Sequence, residues 1–130
     1  MTVLDSTAIL RYLLADDKEE AEKIDSLIKD GACTNDVALL KASGSLETVY
    51  KVPRKEIANM FVDLLSAVRI EDVVVHMETF RLFATTELSY EQCLLYAYKE
   101  LGNIGDIYSS DKKTMDALTD DRLAILPKKN

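Results

Sequence analysis

Apolar side chains recur along most of this chain at the three- and four-residue spacing of amphipathic helices. Between residues 18 and 29 the apolar positions are Ala21, Ile24, Leu27 and Ile28, which fall on one face of a helix. The same spacing predicts helices over residues 8–14, 37–50, 73–86 and 90–101, and another that opens at Pro53. The pattern therefore predicts six helices.

Short apolar runs separate these helices and predict strands of two to four residues. They lie at residues 2–4, 32–34, 69–70, 107–108 and 123–126. Strands that alternate with helices indicate right-handed crossovers and a parallel sheet with helices on both faces. We therefore expect an α/β fold that forms a single domain over residues 1–130.

Composition narrows the class of protein without identifying it. Hydrophobic residues make up 48% of the 130 and charged residues 30%, as in globular proteins. We expect no membrane span and no signal peptide, and two cysteines do not suggest a disulfide framework, so the cytoplasm is the expected compartment. A net charge of −7 lowers the expectation of strong RNA binding, and it is compatible with an acidic metal site or a basic protein partner.

Two aspartates follow predicted strands and are the first candidates for a shared site. Asp5 ends the run at residues 2–4, and Asp111 comes shortly after the run at 107–108. Sites in parallel sheets form at the carboxyl ends of the strands. Each aspartate could equally be a helix N-cap or a turn residue, and that alternative stays open.

Four stretches of the chain together resemble the PIN domains, especially the toxin nucleases of toxin–antitoxin pairs. They are VLDSTAILRYLL at residues 3–14, SLETVYKVPRKEI at 45–57, ELSYEQCLL at 87–95 and IYSSDKK at 107–113. Their order and spacing match over nearly the whole chain. The resemblance implies a PIN-like three-layer sandwich, with a central parallel sheet of four to five short strands and about seven helices.

In active PIN nucleases four acids hold Mg²⁺ or Mn²⁺, which activates water for attack on RNA. The resemblance assigns the first acid to Asp5 and the last to Asp111. The second falls at Lys41 and the third at Gln92, so two of the four carboxylates are replaced. We therefore expect a vestigial acid cluster in which Asp5 and Asp111 would be the ligands of any metal that binds.

The neighbouring positions Thr7 and Ser89 are the expected phosphate or substrate contacts. An ammonium among metal ligands opposes a divalent cation and attracts carboxylates, so we predict that Lys41 pairs with Asp5 and Asp111. The alternative is that Lys41 extends into solvent. Gln92 also has a local explanation, because Ser89 to Gln92 matches a helix capping box.

The resemblance and the substitutions together predict a catalytically inactive relative of the metal-dependent toxin ribonucleases. It would act by binding a partner protein, such as an antitoxin-like chain, or RNA. The alternative is an active Mg²⁺- or Mn²⁺-dependent endoribonuclease with an altered acid cluster. The resemblance also suggests a homodimer through the first helix, whose apolar face could instead be core: Ile9, Leu10, Leu13 and Leu14.

Two further sets of residues have structural interpretations that we prefer to functional ones. His76, the only histidine, is expected to be solvated or half-buried on a helix rather than a general base. Tyr90, Tyr96 and Tyr98 could stack on bases, but packing is the commoner use of such residues.

Overall fold

Seven helices make up the regular structure in the computed structural model, which describes residues 1–102 and 104–120. They are α1 (Ser6–Leu14), α2 (Lys18–Lys29), α3 (Asp36–Thr48), α4 (Arg54–Leu65), α5 (Val73–Thr85), α6 (Tyr90–Leu101) and α7 (Lys112–Leu118). The first six were predicted, and α2 and α6 have the predicted ends. Apolar periodicity did not predict α7. No helix in the described ranges is long and apolar enough to cross a membrane.

The predicted central sheet is wrong. Three extended segments do lie side by side, but only isolated parallel bridges join them, from Val3 to Cys33 and from Cys33 to Arg69. The first two segments end almost at once, because Asp5 and Asn35 cap the helices that follow. Each segment therefore pairs through a single residue, which is too little for strands of the usual length.

The other predicted strands do not restore a sheet. Residues 107–108 form no β-bridge with the rest of the described chain. The run at 123–126 lies outside the described residues. The α/β class, the PIN-like sandwich and the ribonuclease-like architecture are therefore corrected to a helical class for residues 1–102 and 104–120.

The chain divides into two compact units, residues 1–73 and residues 74–130. In the first unit, α1 packs against α2 and α3, and α3 also packs against α4. Its core consists of side chains that are almost fully buried, among them Ile9, Leu39, Leu46, Ile57 and Phe61. The apolar helix faces that the spacing predicts are thus buried within this unit.

In the second unit α6 packs against α7, and aromatic rings form much of the core. Phe80 and Phe83 each contact Tyr90 edge to face, with ring centroids 5.7 and 6.4 Å apart. Tyr90 and Tyr96 are buried, so the packing interpretation of these tyrosines is confirmed. The expected exposure of His76 is wrong, because this side chain is only 2% exposed.

Candidate functional site

Asp5 lies where the first extended segment meets α1, and it is the N-cap of that helix. Its Oδ1 accepts hydrogen bonds from the Ala8 backbone N–H at 2.9 Å and from the Thr7 hydroxyl at 2.7 Å. These two bonds, that from Ala8 first, lower the pKa of Asp5 below its ordinary value. Asp5 is therefore a helix N-cap, and Thr7 supports the cap.

Asp5 and Lys41 line one surface pocket of about 280 Å³ in the first unit. Lys41 reaches this pocket from α3, and its side chain is exposed. Among the ion pairs of the described residues, none joins Lys41 to Asp5. The sequence reasoning thus placed these two residues in one pocket, but the predicted salt bridge between them is not formed.

The donors around Asp5 do not suit Mg²⁺ or Mn²⁺. The pocket offers a single carboxylate, one oxygen of which is engaged by the helix cap, and it also holds the Lys41 ammonium. Hard divalent cations need several oxygen ligands and are repelled by a neighbouring cation. Over residues 1–102 and 104–120, no three His, Cys, Asp or Glu side chains are grouped so that they could hold a metal ion.

In the second unit Asp111 is the N-cap of α7, and its carboxylate belongs to a chain of hydrogen bonds. Its Oδ2 accepts from the Thr114 backbone N–H at 3.0 Å and from the Thr114 hydroxyl at 2.8 Å. The hydroxyl bond is the larger cause and the backbone bond the next in lowering the pKa of Asp111. Gln92 Nε2 in turn donates to Thr114 Oγ1 at 3.0 Å.

The predicted capping box at the start of α6 is confirmed. The Gln92 backbone N–H donates to Ser89 Oγ at 3.1 Å, and the Ser89 N–H donates to Gln92 Oε1 at 3.0 Å. Gln92 therefore links the cap of α6 to Thr114 and, through it, to Asp111. The structure brings together three residues that the resemblance selected, and the contacts they make stabilise two helix starts.

Sequence reasoning missed Thr114, which is 8% exposed and joins Gln92 to Asp111. Its spacing from Asp111, with the aspartate at the N-cap and threonine three residues later, is the only local signal. The contact with Gln92 spans 22 residues and leaves no periodic trace in the sequence.

Sequence reasoning also missed the buried carboxylate of Glu78, which is 3% exposed on α5. Arg81 binds it through two nitrogens: Nε to Oε1, and Nη2 to Oε2 at 3.2 Å. The Glu-x-x-Arg spacing, which places oppositely charged residues on one helix face, could have revealed this pair. A buried carboxylate paired in this way is a structural element of the second unit.

Comparison with known proteins identified no relative of the chain. No protein-family model, no curated protein and no solved structure matches the chain. The resemblance to PIN domains therefore stays a prediction from sequence motifs alone.

Proposed function

We propose that this protein acts by binding a basic partner protein, and that it does not cleave RNA. The proposal rests on the contacts that the residues assigned to the acid cluster make within the fold. Asp5 and Asp111 cap helices, and Gln92 closes a capping box and holds Thr114. Side chains engaged in this way stabilise the fold, and they need no metal to account for their positions.

Charge supports a basic protein as the partner in preference to RNA. The chain has a net charge of −7, and residues 16–30 alone carry seven carboxylates against three lysines. Part of this charge is neutralised locally, since Asp16 pairs with Arg11 and Asp25 with Lys29. The remaining negative field attracts cationic segments and repels phosphates.

The proposal is tested first by a cleavage assay. Purified protein is incubated with single-stranded RNA and Mn²⁺, and we expect no cleavage above a buffer control. Asp5→Asn is the informative variant, because asparagine caps a helix as well as aspartate but is a poor ligand for Mn²⁺. Mn²⁺-dependent cleavage that Asp5→Asn abolishes would establish the nuclease alternative.

The second test compares partners by fluorescence anisotropy. We expect a labelled Lys- and Arg-rich peptide to bind more tightly than single-stranded RNA of equal length, with affinity that falls as salt rises. RNA that binds more tightly than the peptide would contradict the choice of partner.

Self-association and the cytoplasmic compartment remain predictions. Ile9 and Leu10 are buried within the protomer, so only half-buried Leu13 and Leu14 remain of the predicted dimer face. We expect any dimer through α1 to be weak, since most of that apolar face is already covered. Light scattering across a concentration series measures this.

A further inference from the structure

The pocket beside Asp5 contains polar atoms that the fold itself does not use. Asp5 and Asn35 each employ Oδ1 in a helix cap, which leaves Oδ2 of the aspartate and Nδ2 of the asparagine available. Ser6 and Lys41 belong to the same lining, and the side chain of neither forms a hydrogen bond or an ion pair within the described residues. The pocket thus offers a ligand the Asp5 carboxylate as an acceptor, the Asn35 amide and the Lys41 ammonium as donors, and the Ser6 hydroxyl as either.

The two full charges of the pocket have opposite signs and do not neutralise each other. Neither the Asp5 carboxylate nor the Lys41 ammonium forms an ion pair within the described residues. A purely anionic ligand would meet the Asp5 carboxylate, and a purely cationic one would meet the Lys41 ammonium. A zwitterion satisfies both.

The remaining walls and the volume narrow the class of zwitterion. Val3 and Val37, which are 62% and 55% exposed, supply an apolar side to the pocket. A volume of about 280 Å³ falls at the lower end of the roughly 300–1,000 Å³ typical of small-molecule sites. The ligand therefore combines an ammonium, a carboxylate and a small apolar group.

We propose that this pocket binds a free α-amino acid with a small apolar side chain, such as valine. Asp5 receives the ammonium, Lys41 and Asn35 bind the carboxylate, and Val3 and Val37 contact the side chain. This activity goes beyond the proposed partner binding and does not depend on it, because partner binding rests on the net charge and on the helix caps.

Calorimetric titration of the full chain tests the ligand class with three compounds. L-Valine carries both charges, isobutylamine lacks the carboxylate, and isovalerate lacks the ammonium. We expect saturable binding of L-valine and at least about tenfold weaker binding of either analogue, since each loses a charge-assisted contact. If L-valine shows no saturable binding at roughly 10 mM, which is well above a millimolar dissociation constant, the proposal is overturned. Isovalerate binding as tightly as valine also overturns it, because the site would then be an anion site.

Three variants test whether the bound valine occupies this pocket. Asp5→Asn preserves the helix cap and removes the charge, and Lys41→Gln removes the ammonium, so each should weaken valine binding by at least about tenfold. Lys23→Gln is the matched control, since Lys23 is exposed on α2 outside the pocket and should bind valine like wild type. Wild-type affinity in both pocket variants would show that valine binds elsewhere.

Discussion

Asp5 and Asp111 perform the same task in the two units, but their surroundings differ. Each caps a helix, and each accepts one bond from a backbone N–H and one from a threonine hydroxyl. Around Asp111 the bonds continue, because Thr114 accepts from Gln92 and Gln92 closes the next cap. Around Asp5 they stop, and the neighbouring polar atoms line an open pocket.

This difference separates two uses of one local sequence pattern. An aspartate directly before a helix is stabilised by the cap in both units. In the second unit the polar neighbours are consumed by contacts within the fold, so they are structural. In the first unit they keep free donors and acceptors, so binding chemistry is expected there.

The largest expected effect comes from breaking the network of the second unit. Thr114→Val keeps the shape of the side chain but removes the oxygen that joins Gln92 Nε2 to Asp111. Because Thr114 is buried, we expect the free energy of unfolding to fall by about 1–3 kcal/mol. Urea denaturation followed by far-ultraviolet circular dichroism measures the change.

Thr34→Val is the matched control in the first unit. Thr34 is equally buried, but its hydroxyl makes a single bond, to the Leu4 carbonyl at 2.9 Å. We expect this variant to cost about 1 kcal/mol. A Thr114→Val cost no larger than that of Thr34→Val would show that the bonds around Thr114 do not reinforce one another.

A smaller effect is expected at the Asp5 cap, where chemistry and charge can be separated. Asp5→Ala removes the acceptor of both bonds and should lower the free energy of unfolding by about 1 kcal/mol. Asp5→Asn keeps an acceptor at the cap and should lower it by only roughly a few tenths of a kcal/mol. Thermal unfolding of both variants measures the contrast. If asparagine costs as much as alanine, the carboxylate charge matters at this position and the hydrogen bonds do not.

Local patterns predicted the helices and one cap well, because those features depend on residues three or four positions apart. Ser89 and Gln92 were recognised from their spacing, and the structure confirms both bonds of the capping box. Asp30-Gly31 is a typical helix end, and Gly31 has the left-handed φ of 94° that a glycine after the C-cap of α2 readily adopts.

Pairing between distant segments could not be predicted in the same way. The apolar runs around Val3, Cys33 and Arg69 do meet in parallel, but their lengths were too short to decide between a sheet and isolated bridges. The apolar runs themselves predicted a sheet and the resemblance agreed with it, and the fold that both implied is wrong. Motif order alone therefore did not determine the fold class.

At the candidate site, too, the sequence predicted the positions of residues but not their contacts. The positions of Lys41 and Asp5 in one pocket were anticipated by counting along the motif, whereas their lack of an ion pair was not. A salt bridge requires two side chains to approach within hydrogen-bonding distance, and sequence register fixes only which helix face a residue occupies. Side-chain geometry thus decides between pairing and a binding pocket.

The smallest expected effect is a difference between the two aspartates in their dependence on pH and salt. Hydrogen bonds lower the pKa of both carboxyls below its ordinary value, so each contributes stability that is complete above about pH 5 and is lost as the pH falls through its folded pKa. Unfolding free energies measured between neutral pH and about pH 2.5 should therefore decline with acid, less steeply in Asp5→Asn and in Asp111→Asn than in wild type.

Salt then distinguishes the two sites, because a nearby charge contributes at only one of them. The Lys113 ammonium helps to lower the pKa of Asp111, while the causes that lower the pKa of Asp5 are all hydrogen bonds. Added salt screens the exposed Lys113 charge but leaves short hydrogen bonds largely intact. The contribution of Asp111 to the acid slope should shrink in high salt while that of Asp5 persists. Equal shrinkage at both residues would mean that the Lys113 charge does not distinguish the two caps.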